Sequence, residues 1–367
     1  MFGNVYKGKK VLVTGNTGFK GAWLTEWLLM LEAEVTGFSI DIPTTPSLFE
    51  VNHISDRINF IQGDIKDSQN LIEQVKVLKP DFVFHLAAQP IVKRSYENPI
   101  ETFSTNVLGT ANILEALRLS NHPCCAVIIT SDKCYENVEW TWGYRENDRL
   151  GGKDPYSASK GAAELIIHSY LHSYFNKPDS KIKLASVRAG NVIGGGDWAP
   201  NRIVPDCMRS WAAGSAVEIR SPKSTRPWQH VLEPLSGYLR VGQLLAEKSQ
   251  ICGEAYNFGP LAEQSKTVLE LLESLSEFWE FAHDQGKFTV HQDSNFHEAG
   301  LLKLNCDKAL HDLNWSSTLN FEQTTNLTGI WYRNYYQSQQ ESMAIITSNQ
   351  INEYVTIAES LRKEWVK

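Results

Sequence analysis

No two cysteines in this chain are spaced as C-x-x-C. The six present (Cys124, Cys125, Cys134, Cys207, Cys252, Cys306) form no cluster with histidine at zinc-ligand spacing. That predicts no metal site, and reduced thiols in a reducing compartment. Basic runs are missing too, and with a net charge of -7 this argues against a nucleic-acid partner. No apolar stretch is long enough to cross a bilayer, since the run near Trp23 is interrupted by Glu26. Met1 to Lys10 lead straight into a strand pattern, so no signal peptide is expected and the predicted location is the cytoplasm. Neither internal repeats nor low-complexity linkers appear. What is there is 367 residues, 42% hydrophobic and 21% charged. That is a soluble globular composition, long enough for one large α/β domain or two coupled ones.

Lys10-Val11-Leu12-Val13-Thr14 reads as a strand buried on both faces. Gly15-Asn16-Thr17-Gly18-Phe19-Lys20-Gly21 follows at once, and an amphipathic helix is predicted from Ala22 to Glu32. Strand, glycine turn and helix in that order predict a dinucleotide site. Glycines admit the main chain to a pyrophosphate, whose charge sits at the positive helix N-terminus. A second strand, Val35 to Ile40, ends at Asp41, twenty residues past Gly21. A carboxylate there binds ribose hydroxyls and repels a 2′-phosphate, which favours NAD over NADP. Lys20 has two readings: a cation for the pyrophosphate, or a solvated turn residue.

The pattern then repeats. Strand Asn59 to Gln62 ends at Asp64-Ile65, with Asp64 placed for the adenine amino group. Strand Asp81 to Leu86 exits through Ala87-Ala88-Gln89, where small residues let the backbone approach a cofactor. His85 is expected to be packed rather than catalytic. A long helix from Pro99 to Leu119 carries Asn106, a poor helix former with an expected buried side-chain role. Strands Cys125 to Thr130 and Leu184 to Val187 complete the series. The repeated strand–helix order predicts an α/β fold: a Rossmann-like, doubly wound parallel sheet with ligands at the carboxyl ends of its strands. Gly15, Asp41, Asp64, Ala87, Ser131 and Asn191 all lie at such ends.

Tyr156 and Lys160 stand four apart at the start of a helix predicted to reach Phe175, so they share a face. A neighbouring ammonium would lower the phenol's pKa and make Tyr156 a base. Chance alone produces such pairs, and the strand ends around this one give it weight. Ser131-Asp132-Lys133 leaves the preceding strand end. After Arg188 the pattern loosens into a glycine-rich loop, Gly190 to Trp198, expected outside the core. Arg202, Arg209, Arg220 and Arg226 follow among short elements, and Tyr256 to Phe258 reads as a further strand. Helices are predicted over Glu263 to Phe281 and Phe321 to Gln337, and a polar one over Ser348 to Lys367. The expected division is a nucleotide-binding domain over 1–190, to which some later segments return, and a smaller C-terminal α/β substrate domain over 191–340. A helical tail would span 341–367.

These motifs resemble the extended short-chain dehydrogenase/reductase superfamily. The resemblance rests on the Gly15–Gly21 turn, His85-Leu-Ala-Ala-Gln-Pro90, Thr130-Ser-Asp-Lys-Cys-Tyr135 and Tyr156-Ser-Ala-Ser-Lys160. Within it, Arg188-Ala-Gly-Asn-Val-Ile-Gly-Gly-Gly-Asp-Trp198 and Arg226-Pro-Trp-Gln-His-Val-Leu-Glu-Pro-Leu235 resemble the branch of nucleotide-sugar 4,6-dehydratases acting on CDP-glucose. The similarity covers about Lys9 to Tyr335. It implies NAD as cofactor, held by Gly15, Thr17, Gly18, Phe19, Lys20, Gly21, Asp41, Asp64, Ile65, Leu86, Ala87, Ala88, Gln89, Asn106, Tyr156 and Lys160. It also implies a substrate diphosphate met by Asn191 and Arg226, with Arg202 and His230 as further substrate contacts. The implied reaction oxidises C4 of the sugar, removes water across C5 and C6, and returns the reducing equivalent to C6. Tyr156 would take the C4 hydroxyl proton, Ser131 would bond the C4 oxygen, and Asp132 would act as acid. Many related dehydratases carry Thr-Asp-Glu where this chain has Ser131-Asp132-Lys133, so Lys133 is either the C5 base or a positioning group. A lysine base must be neutral, which burial beside Lys160 would favour. A 4-epimerase of the same fold and a non-catalytic NAD sensor are the alternatives. Relatives pair two long helices from each copy, so the segments Thr102–Leu119 and Tyr156–Phe175 suggest a homodimer or homotetramer.

Overall fold

Val11, Leu12 and Val13 are shut off from solvent on both sides, because β1 (Lys10–Thr14) lies mid-sheet. The computed structural model describes residues 1–367 apart from 220, 262–263, 284, 291–301 and 339. Arg220 and the predicted helix start at Glu263 therefore lie outside the described residues. Six more strands join β1: β2 (Glu34–Ser39), β3 (Asn59–Gln62), β4 (Phe82–His85), β5 (Cys124–Ile129), β6 (Ile182–Ala189) and β7 (Ala255–Phe258). Their order is β7-β6-β5-β4-β1-β2-β3, and every pair is parallel. From β1 the chain builds one way through β2 and β3, then returns to build the other way from β4. The gap between β1 and β4 is thus the topological switch point, where such sheets bind ligands.

Side-chain alternation along the strands separates two cores. Ala126 and Ile128 of β5 face the helices α2 (Ser68–Leu78), α3 (Gly109–Ser120) and α4 (Pro155–Tyr170). Val127 and Ile129 face the other layer, with α1 (Phe19–Met30), α5 (Leu232–Glu247), α6 (Phe321–Arg333) and α7 (Met343–Ser360). The predicted helix from Pro99 is a run of helical segments to Ser120, with a π turn at Ser104–Leu108. That widened turn contains Asn106.

The strand at Tyr256–Phe258 is the edge of the main sheet, one of the later segments that return to it. Phe258 packs so tightly on α5 that a Cβ at Gly237 would lie 2.3 Å from its ring. Several expectations need correction. The loop after Asn191 is inside the core: a Cβ at Gly195 would lie 2.0 Å from Cγ of Trp331, and Gly196 has φ +80°. Gly195 makes room for a tryptophan. The C-terminal helix is not a polar one over Ser348–Lys367; it runs Met343–Ser360 and buries Ile346, Ile351, Tyr354 and Ala358. The helix predicted to end at Phe281 spans Val268–Ser276, behind a capping box at Thr267 and Glu270. Among the described residues no helix is long and apolar enough to cross a membrane.

Candidate active site

Gly15 turns the chain out of β1 with φ +74°, and a Cβ there would lie 2.7 Å from the Ala87 nitrogen. The two strand exits at the switch point therefore touch, and only glycine permits it. Gly21 is equally constrained, since a Cβ on it would lie 2.1 Å from the Gly15 carbonyl oxygen. Gly18 differs: the nearest protein atom to its Cβ position is at 3.4 Å, an ordinary contact. Packing does not demand this glycine, and its bareness leaves the start of α1 open. No side chain caps α1, and no acidic residue lies in its first turn. Open amides, bare backbone and the positive helix end together fit a pyrophosphate. Asn16 anchors the turn by accepting from Ser39 Oγ at 2.7 Å. Thr17 spends its hydroxyl on the Asp41 carbonyl at 2.7 Å, which leaves the Asp41 carboxylate in solvent beside the turn. Asp64 and Ile65 leave β3, with Ile65 wedged over Gly109.

The reactive groups meet where β5 ends. Ser131 starts a 3-10 turn, Asp132–Cys134, and accepts the Lys133 amide at 3.2 Å. Its hydroxyl donates to Asp132 Oδ1 at 2.8 Å and lies near enough to Tyr156 to lower that phenol's pKa. Asp154 caps α4 and Pro155 occupies its first turn, so Tyr156 and Lys160 point from one helical face. Ser131, Asp132, Tyr156 and Lys160 are all 6–8% exposed. Burial pushes the Tyr156 phenol up to about 12, while the Ser131 hydroxyl and the Arg202 guanidinium pull the other way. Arg202 is a further cation acting on this phenol, one the sequence did not suggest. Lys160 itself is pushed down to about 8, chiefly by burial.

Three cations surround this centre. Lys20 is set deep enough that burial lowers it to about 8; Asp132 opposes that, and Arg202 and Lys160 add to it. Lys20 is half-buried at the glycine turn. Arg202 pairs with Asp197 at 2.8 Å. Asp197 is fixed in turn by Tyr332, whose hydroxyl donates to its carbonyl at 2.5 Å. A cavity of about 250 Å³ opens beside Asp132 and Gly190, walled by Trp142, Pro227, Leu261 and Leu304. Asn191 follows Gly190 at this cavity, and Arg226 precedes Pro227 in its wall. A larger groove, about 590 Å³, lies at the amino ends of β1 to β3 and holds none of the predicted site residues.

Other predicted residues sit elsewhere. His230 is fully buried against the Trp23 ring, and burial lowers it to about 3, so it is neutral and out of reach of a ligand in the cleft. Asn106 spends its amide inside the protein: Oδ1 accepts the Gln89 N–H at 2.8 Å, and Nδ2 donates to Ser159 Oγ at 2.8 Å. Gln89 is likewise spent on Thr102 and Ile91. This pair clamps the Leu86-Ala87-Ala88 exit to α4. His85 is packed as expected, between Thr14 and Thr110. Sequence reasoning missed Glu164, Tyr135 and Asn257, which underlie the reactive turn. A signal existed for Glu164, since it repeats the four-residue step from Tyr156 to Lys160.

A parallel sheet of this order, a glycine turn at its switch point, and a Tyr-x-x-x-Lys helix beside Ser131 define the extended short-chain dehydrogenase/reductase class. A family model described as GDP-mannose 4,6 dehydratase matches residues 12–328, and the chain belongs to that family of nucleotide-sugar dehydratases. It is 45% identical over 356 residues to the CDP-glucose 4,6-dehydratase of Salmonella typhimurium, covering 96% of this chain and 98% of that protein. It is 25% identical over 341 residues to a dTDP-glucose 4,6-dehydratase of Xanthomonas campestris, covering 88% and 92%. Among solved structures, the dTDP-glucose 4,6-dehydratase of Streptomyces venezuelae, determined with NAD bound, shares the fold at TM-score 0.73. Its identity is 23%, with 89% of this chain and 99% of that one covered.

Proposed function

We propose that the protein converts CDP-glucose to CDP-4-keto-6-deoxyglucose with NAD, as a 4,6-dehydratase of deoxysugar biosynthesis. The observation that carries this is the buried cluster of Tyr156, Ser131 and Asp132 at the end of β5, a base, an orienting hydroxyl and an acid, with Asp132 lining a cavity of about 250 Å³. The similarity to the Salmonella enzyme supports CDP-glucose as the substrate. The turn Gly15–Gly21, the Asp41 and Asp64 carboxylates, the backbone at Ile65 and Leu86–Ala88, and Lys160 would hold NAD. When bound, NAD supplies reversible two-electron oxidation.

The chain's own groups handle protons. Tyr156 takes the proton of the C4 hydroxyl, and Ser131 bonds the same oxygen. A ketone at C4 acidifies C5–H. Lys133 takes the C5 proton, and Asp132 gives one to the C6 hydroxyl, which leaves as water. Arg202 and Lys20 add positive charge that favours phenolate and diphosphate, and Asn191 and Arg226 contact the diphosphate. The enzyme acts in the cytoplasm as a homodimer or homotetramer, paired through α4 and the helical segments that lead into α3, where Ile100, Leu108 and Leu165 are exposed.

Incubation with NAD and, separately, CDP-, dTDP-, GDP- and UDP-glucose tests the reading. CDP-glucose should lose one water and yield a 4-keto-6-deoxy sugar by NMR. No such product from CDP-glucose would overturn the assignment, and a galactose-configured product would point to an epimerase.

A further inference from the structure

The short turn that carries Asp132 and Lys133 is tied at both ends to one buried ion pair. Glu164 lies four residues past Lys160 and eight past Tyr156, so α4 presents all three on one face. Its carboxylate meets Arg188 fork to fork: Nε to Oε1 at 2.8 Å and a terminal nitrogen to Oε2 at 2.9 Å. Both side chains are 4% exposed. Oε1 also accepts the Thr130 hydroxyl at 2.5 Å, and Oε2 accepts that of Ser186 at 2.9 Å. Thr130 is the residue immediately before Ser131. On its far side Arg188 donates to the Tyr135 hydroxyl at 2.7 Å and to the Glu146 carbonyl at 2.9 Å. The Tyr135 hydroxyl donates onward to Asn257 Oδ1 at 2.8 Å. The backbone N–H of Tyr135 closes the reactive turn on the Asp132 carbonyl at 3.4 Å, and that of Cys134 closes it on Ser131 at 3.2 Å.

A buried ion pair adds little net stability, because desolvation offsets its attraction. Its satisfied network instead defines distances. We propose that Glu164, Arg188 and Tyr135 form a positioning relay. It sets the turn bearing Asp132 and Lys133 against the α4 face bearing Tyr156 and Lys160. The same relay reaches the cleft wall, since Asn257 Nδ2 donates to the Tyr144 carbonyl at 2.9 Å, one residue beyond Gly143. Its kinetic consequence rests on the dehydratase reading; its structural consequence does not. C4 oxidation has its base, Tyr156, on the α4 face and only the Ser131 hydroxyl on the turn, whereas loss of water depends on Asp132 and Lys133, both on it. Loosening the turn therefore slows elimination more than oxidation, because misplacement by an ångström costs on the order of a hundredfold in rate.

Two isosteric variants cut the relay at opposite ends: Tyr135→Phe and Thr130→Val. By hydrogen exchange, the segment holding the Cys134 and Tyr135 amides should lose protection about tenfold in Tyr135→Phe, while β5 and β6 keep theirs. This readout needs no substrate. Unchanged exchange there would overturn the relay. With CDP-glucose and NAD, both variants should accumulate reduced nicotinamide, about tenfold above wild type by absorbance, as elimination falls behind oxidation. Equal slowing of both steps, with no such accumulation, would count as a purely structural effect and overturn the proposal. Failure of wild-type protein to form product overturns the dehydratase reading alone, and the exchange result then decides the relay.

Discussion

Lys160 occupies a place that costs the fold stability. Burial holds its ammonium down to about 8, against an ordinary lysine value near 10.5. The shift corresponds to on the order of 3 kcal/mol. Its folded pKa is depressed, so the penalty is in full force at pH 7 and fades as pH rises from about 8 towards 10.5. Lys160→Met should therefore stabilise the nucleotide-free protein at pH 7, with the gain shrinking by pH 10, while activity is lost. Urea titrations at both pH values check this; a destabilised variant at pH 7 would contradict it. Lys133 is testable through isotope. With Lys133→Met in heavy water, deuterium entry at C5 should fall about a hundredfold or more relative to C4 oxidation, the scale of general-base catalysis. Normal label entry and turnover would assign Lys133 to positioning only.

At the scale of elements, the C-terminal helix α7 is an integral part of the α1 layer. Trp365 stacks on Phe2 at 5.2 Å and on Tyr354 at 5.6 Å, and meets Trp27 edge-on at 5.8 Å. The Tyr354 hydroxyl donates to Glu233 Oε2 at 3.0 Å, and Glu233 also accepts the Thr318 and Leu319 amides. Trp365→Ala should cost about 3–5 kcal/mol in a denaturant titration. A cost under ~1 kcal/mol would mean that the terminal turn docks only weakly. The sequence of this stretch reads as polar because its apolar positions are spread through polar ones, and only the partners Phe2 and Trp27 reveal a buried face. The glycine-rich loop shows the same limit. Its glycines suggest a loop for a ligand, yet Trp331 and Leu48 occupy the space where two of the side chains would be.

For the whole molecule, the two cores on either side of the sheet leave large apolar residues in water on the helical layer that carries α4. Ile100, Leu108 and Leu165 are 76%, 58% and 62% exposed on segments that pack side by side. A dimer through this layer predicts that Leu165→Glu sediments as a monomer where the parent protein sediments as a dimer. Equal sedimentation of the two would remove this face from the interface. Thiol chemistry is a second global property. Burial pushes Cys125 up to about 11 and Cys306 up to about 12, and raises Cys124, Cys134 and Cys207 well above the ordinary thiol value.

The order of strands and helices was legible because each strand end carries its own local signal. Gly15, Asp41, Asp64, Ala87 and Ser131 follow apolar runs, and the physics of parallel sheets gathers such ends on one edge. Tyr156 and Lys160 were legible for the same reason, since helical period alone puts them on one face. Contacts between distant segments were not. Arg202 beside Tyr156, Lys20 beside Asp132, His230 sealed under Trp23, and the Glu164–Arg188–Tyr135 relay join residues far apart in the chain. Such pairings depend on how the layers pack, which no local pattern encodes. The sequence by itself determined which groups stand at the strand ends. Only the tertiary structure decided which of them face one another, because burial and the neighbouring charges that follow from it exist only once the layers close.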